Sequence, residues 1–135
     1  ASHRDVRVDM PIRGGCATEL SDEVVAAYEA PFPDADFKAG IRTFPPMIPV
    51  TPDDVGAAEG QAAAQYLLKD DRPSLLFWAD NDPALPLDPV GRTVQMLFPQ
   101  AEPLTVIKNA GHFLQEDQGE EIGQAIAEWL ARTPA

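Results

Sequence analysis

The chain has 135 residues, of which 44% are hydrophobic, and this is enough for one domain with a packed core. Its 22 acidic and 10 basic residues give a net charge of −12 at pH 7. Because such a surface repels phosphate backbones and anionic membranes, we expect neither a nucleic-acid nor a membrane partner. The one cysteine, Cys16, excludes an internal disulfide and fits a reducing compartment. With no long apolar run and no charged-then-apolar leader, we expect a soluble, cytoplasmic protein.

The N-terminal residues alternate apolar and polar side chains. The alternation over residues 6–12 predicts a half-buried strand, and Pro11 restricts it to a sheet edge or an extended linker. A helix is then predicted to begin after Ser21, a good N-cap residue that two acidic residues follow. Its apolar stripe ends before Pro31, which stops the helix.

Residues 31–54 are rich in proline. The six prolines in this range exclude a long helix or a central strand. Phe32, Phe37, Phe44 and Met47 lie among them. Because a disordered linker would lack such side chains, we predict a packed irregular segment.

From residue 53 onward, predicted helices and strands alternate. Residues 53–69 predict an Ala-rich helix, and residues 74–79 and about 103–107 predict strands, each followed by a helix. The apolar positions of those two later helices are Val90, Val94, Met96, Leu97 and Phe98, then Ile122, Ile126, Trp129 and Leu130. This order predicts parallel strands in an α/β layer. Since two parallel strands make a poor sheet alone, we predict that they form the edge of a larger one.

Polar side chains follow both predicted strands, at the edge where doubly wound sheets bind their ligands. Asp80 and Asp82 follow the first strand, and His112 follows the second. An acid that orients an imidazole, which in turn takes a proton from water or a hydroxyl, is the supporting half of a hydrolase triad. Spacing alone leaves a second interpretation open. Asp-Asn-Asp-Pro is favourable turn chemistry, and a histidine beside glycine can simply cap a turn.

The nucleophile and the metal ligands are harder to find. Cys16 precedes the acid and the base in the chain order of an α/β-hydrolase triad, but four residues separate it from the helix start. A partly buried small side chain is therefore the favoured interpretation. Asp80-x-Asp82 lacks the glycine and glutamate that complete a calcium loop, and no histidine or cysteine pair has zinc spacing.

Two longer motifs resemble haloalkane dehalogenases, which are α/β-hydrolases with a helical cap. Residues 20–34 read LSDEVVAAYEAPFPD and, with residues 38–45, resemble the cap domain. Residues 109–117 read NAGHFLQED and resemble the surroundings of the family's catalytic histidine. The resemblance implies an α/β chain, the C-terminal part of an α/β-hydrolase fold. It would comprise a partial cap (residues 1–69) followed by a core segment (residues 70–135) with the last two parallel strands and their flanking helices.

The resemblance also implies a reaction. In this family an aspartate displaces halide from carbon, and a water activated by histidine hydrolyses the resulting ester, with no metal or organic cofactor. His112 resembles that base, and Asp82 matches the acid that orients it, with Asp80 as the second candidate. The residues predicted to line the apolar pocket are Phe32, Phe44 and Phe113.

Some parts of the family pattern are not found in this sequence. Three parts of the family's machinery precede the cap: the nucleophilic aspartate, its neighbouring halide-binding tryptophan and the oxyanion segment. Some members carry a second halide-binding tryptophan in the cap, and this chain has no tryptophan at the corresponding place, which is near Cys16. We therefore expect a C-terminal half that is inactive by itself and is completed by a homo-oligomer or by association with an N-terminal half. Its parent would act on a small haloalkane. Two alternatives stay open: another capped hydrolase, such as an epoxide hydrolase, and a non-catalytic self-associating fragment.

Overall fold

Residues 6–133, which the computed structural model describes, contain seven α-helices and two β-strands. In chain order these are α1 (Asp9–Gly15), α2 (Asp22–Glu29), α3 (Ala39–Thr43), α4 (Ala57–Leu67), β1 (Phe77–Ala79), α5 (Arg92–Met96), β2 (Thr105–Ile107), α6 (Leu114–Asp117) and α7 (Gly119–Arg132). The outermost residues of the predicted cap and core segments, 1–5 and 134–135, lie outside the described residues. The predicted α/β class is confirmed, because the chain combines helices with a small parallel sheet.

Helix α1 stands where alternation predicted a strand, and that prediction is wrong. Pro11 falls in the first turn of the helix, where its missing N–H costs no hydrogen bond. Val8 and Ile12 are both buried. They are four residues apart, a spacing that fits one face of a helix as well as one face of a strand. The alternation therefore could not distinguish the two structures.

Helix α2 begins where the capping pattern predicted. The Ser21 hydroxyl accepts a hydrogen bond from the Val24 N–H at 3.3 Å, and Asp22 and Glu23 occupy the first turn. These acids face the positive end of the helix dipole. Val25 is buried on the inner face of the helix, which ends just before Pro31.

The segment from residue 31 to residue 70 is more open than predicted. All of it lies within the described part of the chain, and none of its residues is buried. Two short 3-10 turns and helix α3 form its first half, as expected for so many prolines. Phe32 packs on the core, whereas Phe37 and Met47 are exposed, so the prediction of a packed segment is only partly correct. Helix α4 begins later than predicted, after Gly56 in a left-handed conformation with φ 90°.

The two strands pair in parallel, with Trp78 opposite Val106. Backbone hydrogen bonds continue past the strand ends: Asp80 N–H donates to the Ile107 carbonyl, and Asn81 N–H donates to the Ala110 carbonyl, both at 3.0 Å. This extension draws the loops after β1 and β2 together at one edge of the sheet. No helix among residues 6–133 has the length and apolar character needed to cross a membrane.

Two groups of buried residues form the core. The helical cluster is built from Val8, Ile12, Leu20 and Val25, and the sheet cluster from Ala79, Ile107 and Ala110. The loop after β2 contacts both, because Phe113 packs against the helical cluster and Leu114 against the sheet cluster. His112 therefore lies on a loop anchored in both cores.

Candidate active site

The loop after β2 turns sharply and then becomes buried. Asn109 has a φ of 55°, a left-handed conformation that asparagine tolerates better than most residues. Ala110 and Gly111 follow it and are buried. Ala110 is held by its N–H, which donates to Asp80 Oδ1 at 3.2 Å. The backbone that leads to His112 is therefore fixed before the imidazole is reached.

The imidazole of His112 contacts the carboxylate of Asp82. Nδ1 lies 3.1 Å from Oδ1 and 3.0 Å from Oδ2. The Asp82 side chain is 8% exposed, whereas that of His112 is 37% exposed. An ionised carboxylate only accepts hydrogen bonds, so Nδ1 carries the hydrogen and donates it. Nε2 of the neutral ring is then a proton acceptor.

Asp82 is held in its ionised form. Burial opposes its charge, but hydrogen bonds from the Leu85 N–H, the His112 ring and the Ala84 N–H outweigh burial and lower the pKa of the carboxyl. The two backbone N–H groups lie 2.9 and 2.8 Å from Oδ1. The carboxylate is therefore oriented by its own turn as well as by the histidine.

Asp80 has different partners, although sequence spacing left it as the second candidate for the acid. Its carboxylate accepts from the Ala110 N–H, and Asn81 Nδ2 donates to it at 2.8 Å. Lys108 Nζ lies 3.8 Å from Oδ2. Burial opposes its ionisation, but the backbone hydrogen bonds and Lys108 lower its pKa below the ordinary value. Asp80 thus joins the two loops, and the carboxylate hydrogen-bonded to the imidazole is that of Asp82.

An apolar cavity of about 440 Å³ lies beside the loop and contains two of the three predicted pocket residues. Phe32 and Phe113 line it, together with Tyr28 and Ile41. The Phe113 ring meets the His112 ring edge-on, with 5.2 Å between centroids. Phe44 does not line the cavity and is 68% exposed.

Cys16 is a free, half-buried cysteine that follows a helix rather than a strand. Burial raises the pKa of its thiol, and the nearby charges of Asp117 and Glu116 raise it further. Because the thiolate is the nucleophilic form, these surroundings oppose nucleophilic chemistry. They support the interpretation of Cys16 as a small packing residue. Within residues 6–133, no group of three or more potential ligands is arranged to hold a metal ion.

Sequence reasoning missed Asp117. Its Oδ2 accepts from the Ala17 N–H at 2.9 Å and from the Gly111 N–H at 2.7 Å. Its Oδ1 accepts from the Thr18 N–H at 2.8 Å and from the Thr18 hydroxyl at 2.5 Å. Asp117 thus links the histidine loop to residues 17 and 18. No local sequence pattern predicts this link, since two of the three partner residues lie about a hundred positions away along the chain.

No protein-family model matches the chain. The similar proteins found by sequence and by structure agree with one another, because those described below are all named haloalkane dehalogenases. The chain is 38% identical over 125 residues to a haloalkane dehalogenase of Psychrobacter cryohalolentis, covering 91% of this chain and 41% of the relative. It is 35% identical to a haloalkane dehalogenase of Mycobacterium marinum, covering 87% and 39%. It also superposes on the tetrameric haloalkane dehalogenase DpaA of Paraglaciecola agarilytica with a TM-score of 0.78 and 26% identity, covering 90% and 41%. The chain thus spans about two fifths of the length of these relatives.

The parallel strand pair and its helices are a C-terminal portion of an α/β-hydrolase fold. Within that class, the chain is similar to haloalkane dehalogenases over 91% and 87% of its own length and corresponds to their C-terminal part. The resemblance predicted from the cap and histidine motifs is therefore confirmed.

Proposed function

We propose that this chain supplies the base and its orienting acid for hydrolytic dehalogenation of a small haloalkane. The observation that carries the proposal is the contact of Asp82 with Nδ1 of His112, which leaves Nε2 able to accept a proton. In this role His112 is the base, and Asp82 holds its tautomer and balances the imidazolium charge. The division into a cap segment (residues 1–69) and a core segment (residues 70–135) belongs to the same proposal.

The chemistry proceeds in two steps. An aspartate carboxylate, supplied by the part of the family fold that this chain does not span, displaces halide and forms an alkyl ester. His112 Nε2 then takes a proton from water as the water oxygen attacks the carbonyl carbon of that ester. The ester C–O bond breaks, the imidazolium returns its proton to the departing alkoxide, and the alcohol leaves. The aspartic acid that remains then loses the second water proton to solvent, which restores the carboxylate. The sum is a haloalkane and water giving an alcohol, a halide ion and a proton.

The apolar cavity fits this substrate class. Phe32 and Phe113 give it aromatic walls, and the second of these packs directly against His112. An alkyl chain bound there would gain burial without leaving polar groups unpaired. Phe44, which is outside the cavity, would act only if an additional segment or subunit turned its exposed face toward the substrate.

A graft tests the proposal directly. In the Psychrobacter relative, the matching segment is replaced by this chain, and halide release from 1-bromobutane is measured. We expect turnover that His112→Ala abolishes and Asp82→Asn reduces by about four orders of magnitude, since the asparagine favours the wrong tautomer. Asn81→Ala, next to the acid but without a contact to the imidazole, is the matched control and should retain activity. A folded graft whose halide release survives His112→Ala contradicts the proposal.

The same graft separates the alternative hydrolase. Opening of styrene oxide, without halide release from the bromoalkane, would identify an epoxide hydrolase instead. The isolated 135-residue chain should release no halide above background, because its described residues place no nucleophilic carboxylate against the proposed base. Halide release by the isolated chain that His112→Ala removes would overturn that expectation.

We also propose that the isolated chain associates with copies of itself. Large apolar side chains project from the segment between residues 37 and 68, and Val55, the most exposed of them, is 96% accessible. The two-stranded sheet of residues 6–133 also has two open edges. Sedimentation at micromolar concentration should show an oligomer that Val55→Glu combined with Phe44→Glu dissociates. A monomer would contradict self-association, and an oligomer that the double variant leaves unchanged would exclude this surface.

A further inference from the structure

We propose that Asp117 is a positioning residue for His112, holding the histidine loop against the junction between α1 and α2. The inference rests on the proposed function, because it assigns a role that matters only if His112 is the base. Asp117 touches neither the imidazole nor the cavity. It acts through the backbone of Gly111, the residue immediately before His112.

Four donors converge on the Asp117 carboxylate, and they come from both sides of the loop's contact with the helices. Oδ2 joins the Gly111 N–H to the Ala17 N–H, and Oδ1 takes both the N–H and the hydroxyl of Thr18. Each carboxylate oxygen thus accepts two hydrogen bonds. Burial opposes the charge of Asp117, but these hydrogen bonds outweigh burial and lower its pKa, so the acceptor stays ionised at neutral pH.

The backbone on the other side of His112 is tethered as well. The Phe113 N–H donates to the Gly15 carbonyl at 3.2 Å. Gly111 lies so close to the same stretch that a Cβ on it would be 2.3 Å from the Gly15 carbonyl oxygen. His112 therefore sits between two residues whose backbones are held against residues 15–18, one by Asp117 and one directly.

Glu116 adds a separate link from the same short helix. The Tyr28 hydroxyl donates to Glu116 Oε1, which ties α2 to α6 and raises the pKa of Tyr28. This link leads from α2 to a residue beyond the histidine, whereas Asp117 accepts a hydrogen bond from Gly111, the residue just before the histidine. The two adjacent acids thus have different partners, and Asp117 is the one that fixes the backbone from which the His112 side chain extends.

The geometry divides the control of the imidazole between two carboxylates. Asp82 fixes the ring through Nδ1, but only if the backbone delivers the ring to within hydrogen-bond reach. Asp117 fixes that backbone. Removing Asp117 should therefore weaken the preference for the Nδ1–H tautomer, even though the Asp82 carboxylate is unchanged.

The test measures the imidazole tautomer in the 135-residue chain by ¹⁵N NMR, at a pH where the ring is neutral. The sequence has two histidines, so His3→Gln assigns the signals. We expect Asp117→Asn to reduce the Nδ1–H preference of His112 several-fold, because asparagine has one acceptor oxygen for two pairs of donors. Glu120→Gln, which removes the same charge three residues further on, should leave the tautomer unchanged. An unchanged tautomer in folded Asp117→Asn overturns the inference.

A milder variant covers the case in which Asp117→Asn does not fold. Thr18→Val removes only the hydroxyl donor and keeps the backbone N–H. We expect faster amide hydrogen exchange at Gly111 and a smaller loss of the Nδ1–H tautomer, with exchange at Ile107 in β2 unchanged. If Gly111 exchange and the tautomer both match the unsubstituted chain, the inference fails.

The tautomer and the amide exchange rate can both be measured without turnover. The positioning role of Asp117 and the proposed dehalogenase function are therefore tested independently. In the active graft, Asp117→Asn should lower kcat while leaving KM nearly unchanged, because the cavity walls are intact. A graft without halide release whose histidine still loses its tautomer preference in Asp117→Asn would refute the dehalogenase proposal and preserve the positioning role.

Discussion

The histidine loop and the 37–68 surface differ in where their partners are found. The histidine loop, residues 108–117, is hydrogen-bonded to Asp82, to the junction after α1 and to the carboxylate of Asp80 after β1. The 37–68 surface leaves large apolar side chains in solvent. The loop has its partners within the 135 residues, whereas the 37–68 surface lacks apolar cover within residues 6–133. We infer that the two regions differ in stability as well as in burial.

The largest expected contrast comes from truncating one apolar side chain in each setting. Ile107, at the end of β2, is 1% exposed and belongs to the sheet cluster. Ile107→Ala should lower the free energy of unfolding by about 4 kcal/mol, because it removes buried methyl groups and leaves a cavity. Val55→Ala should change the unfolding free energy of the monomer, measured below the concentration at which the chain self-associates, by no more than about 0.5 kcal/mol. Urea unfolding measures both, and similar losses would contradict the contrast.

A second test uses the close approach at the histidine loop. Gly111→Ala places its Cβ 2.3 Å from the Gly15 carbonyl oxygen and 2.9 Å from the Ala17 nitrogen. Because these are backbone atoms, the segments must separate, and we expect a loss of about 3 kcal/mol. Gly123→Ala in α7 is the control. Nothing lies within 4 Å of its added Cβ, so it should stabilise the helix by about 0.5–1 kcal/mol. Equal effects at the two glycines would refute the close approach.

A third test follows the pH dependence of the histidine loop. The folded pKa of Asp117 lies below its ordinary value of 3.8, so its stabilisation is complete above that pH and is lost as the pH falls through the folded pKa. Asp117→Asn should cost about 2 kcal/mol at neutral pH. The difference from the unsubstituted chain should shrink below pH 3.8, because the native carboxyl then takes up its proton. A pH-independent difference would show that ionisation of Asp117 contributes nothing.

The smallest effect is expected at the helix that connects the two regions. Ser21→Ala removes the cap of α2 and should cost about 1 kcal/mol in thermal or urea unfolding. Ser21→Asp keeps an acceptor for the Val24 N–H and should restore most of the stability. A loss as large as that of Ile107→Ala would mean that the N-cap hydrogen bond of Ser21 contributes as much to stability as a buried core side chain.

Much of the fold followed from local chemistry in the sequence. The parallel strands, the Ser21 cap and the polar ends of both strands obey short-range rules, and the strand ends suffice to bring Asp82 toward His112. The catalytic role of the pair is still a prediction.

The features that the sequence did not predict correctly are α1, the open segment around Phe44 and the contacts of Asp117, and each has a physical reason. Helix α1 was missed because Val8 and Ile12 fit two periodicities at once. The aromatic side chains around Phe44 predicted packing, but aromatic content creates a core only where an opposing surface exists. Asp117 was missed because its partners at Ala17 and Thr18 are remote in sequence, and only the fold brings them together.

That remoteness bears on the order of folding events. The hydrogen bonds from Ala17 and Thr18 to Asp117 close chain loops of 100 and 99 residues, whereas the contact of Ala110 with Asp80 spans 30. Longer closures cost more entropy and tend to form later than shorter ones. We therefore expect the strand ends to meet first and Asp117 to engage near the end. Asp117→Asn should accordingly speed unfolding more than it slows folding. The position of His112 would then be fixed in one of the last steps of folding.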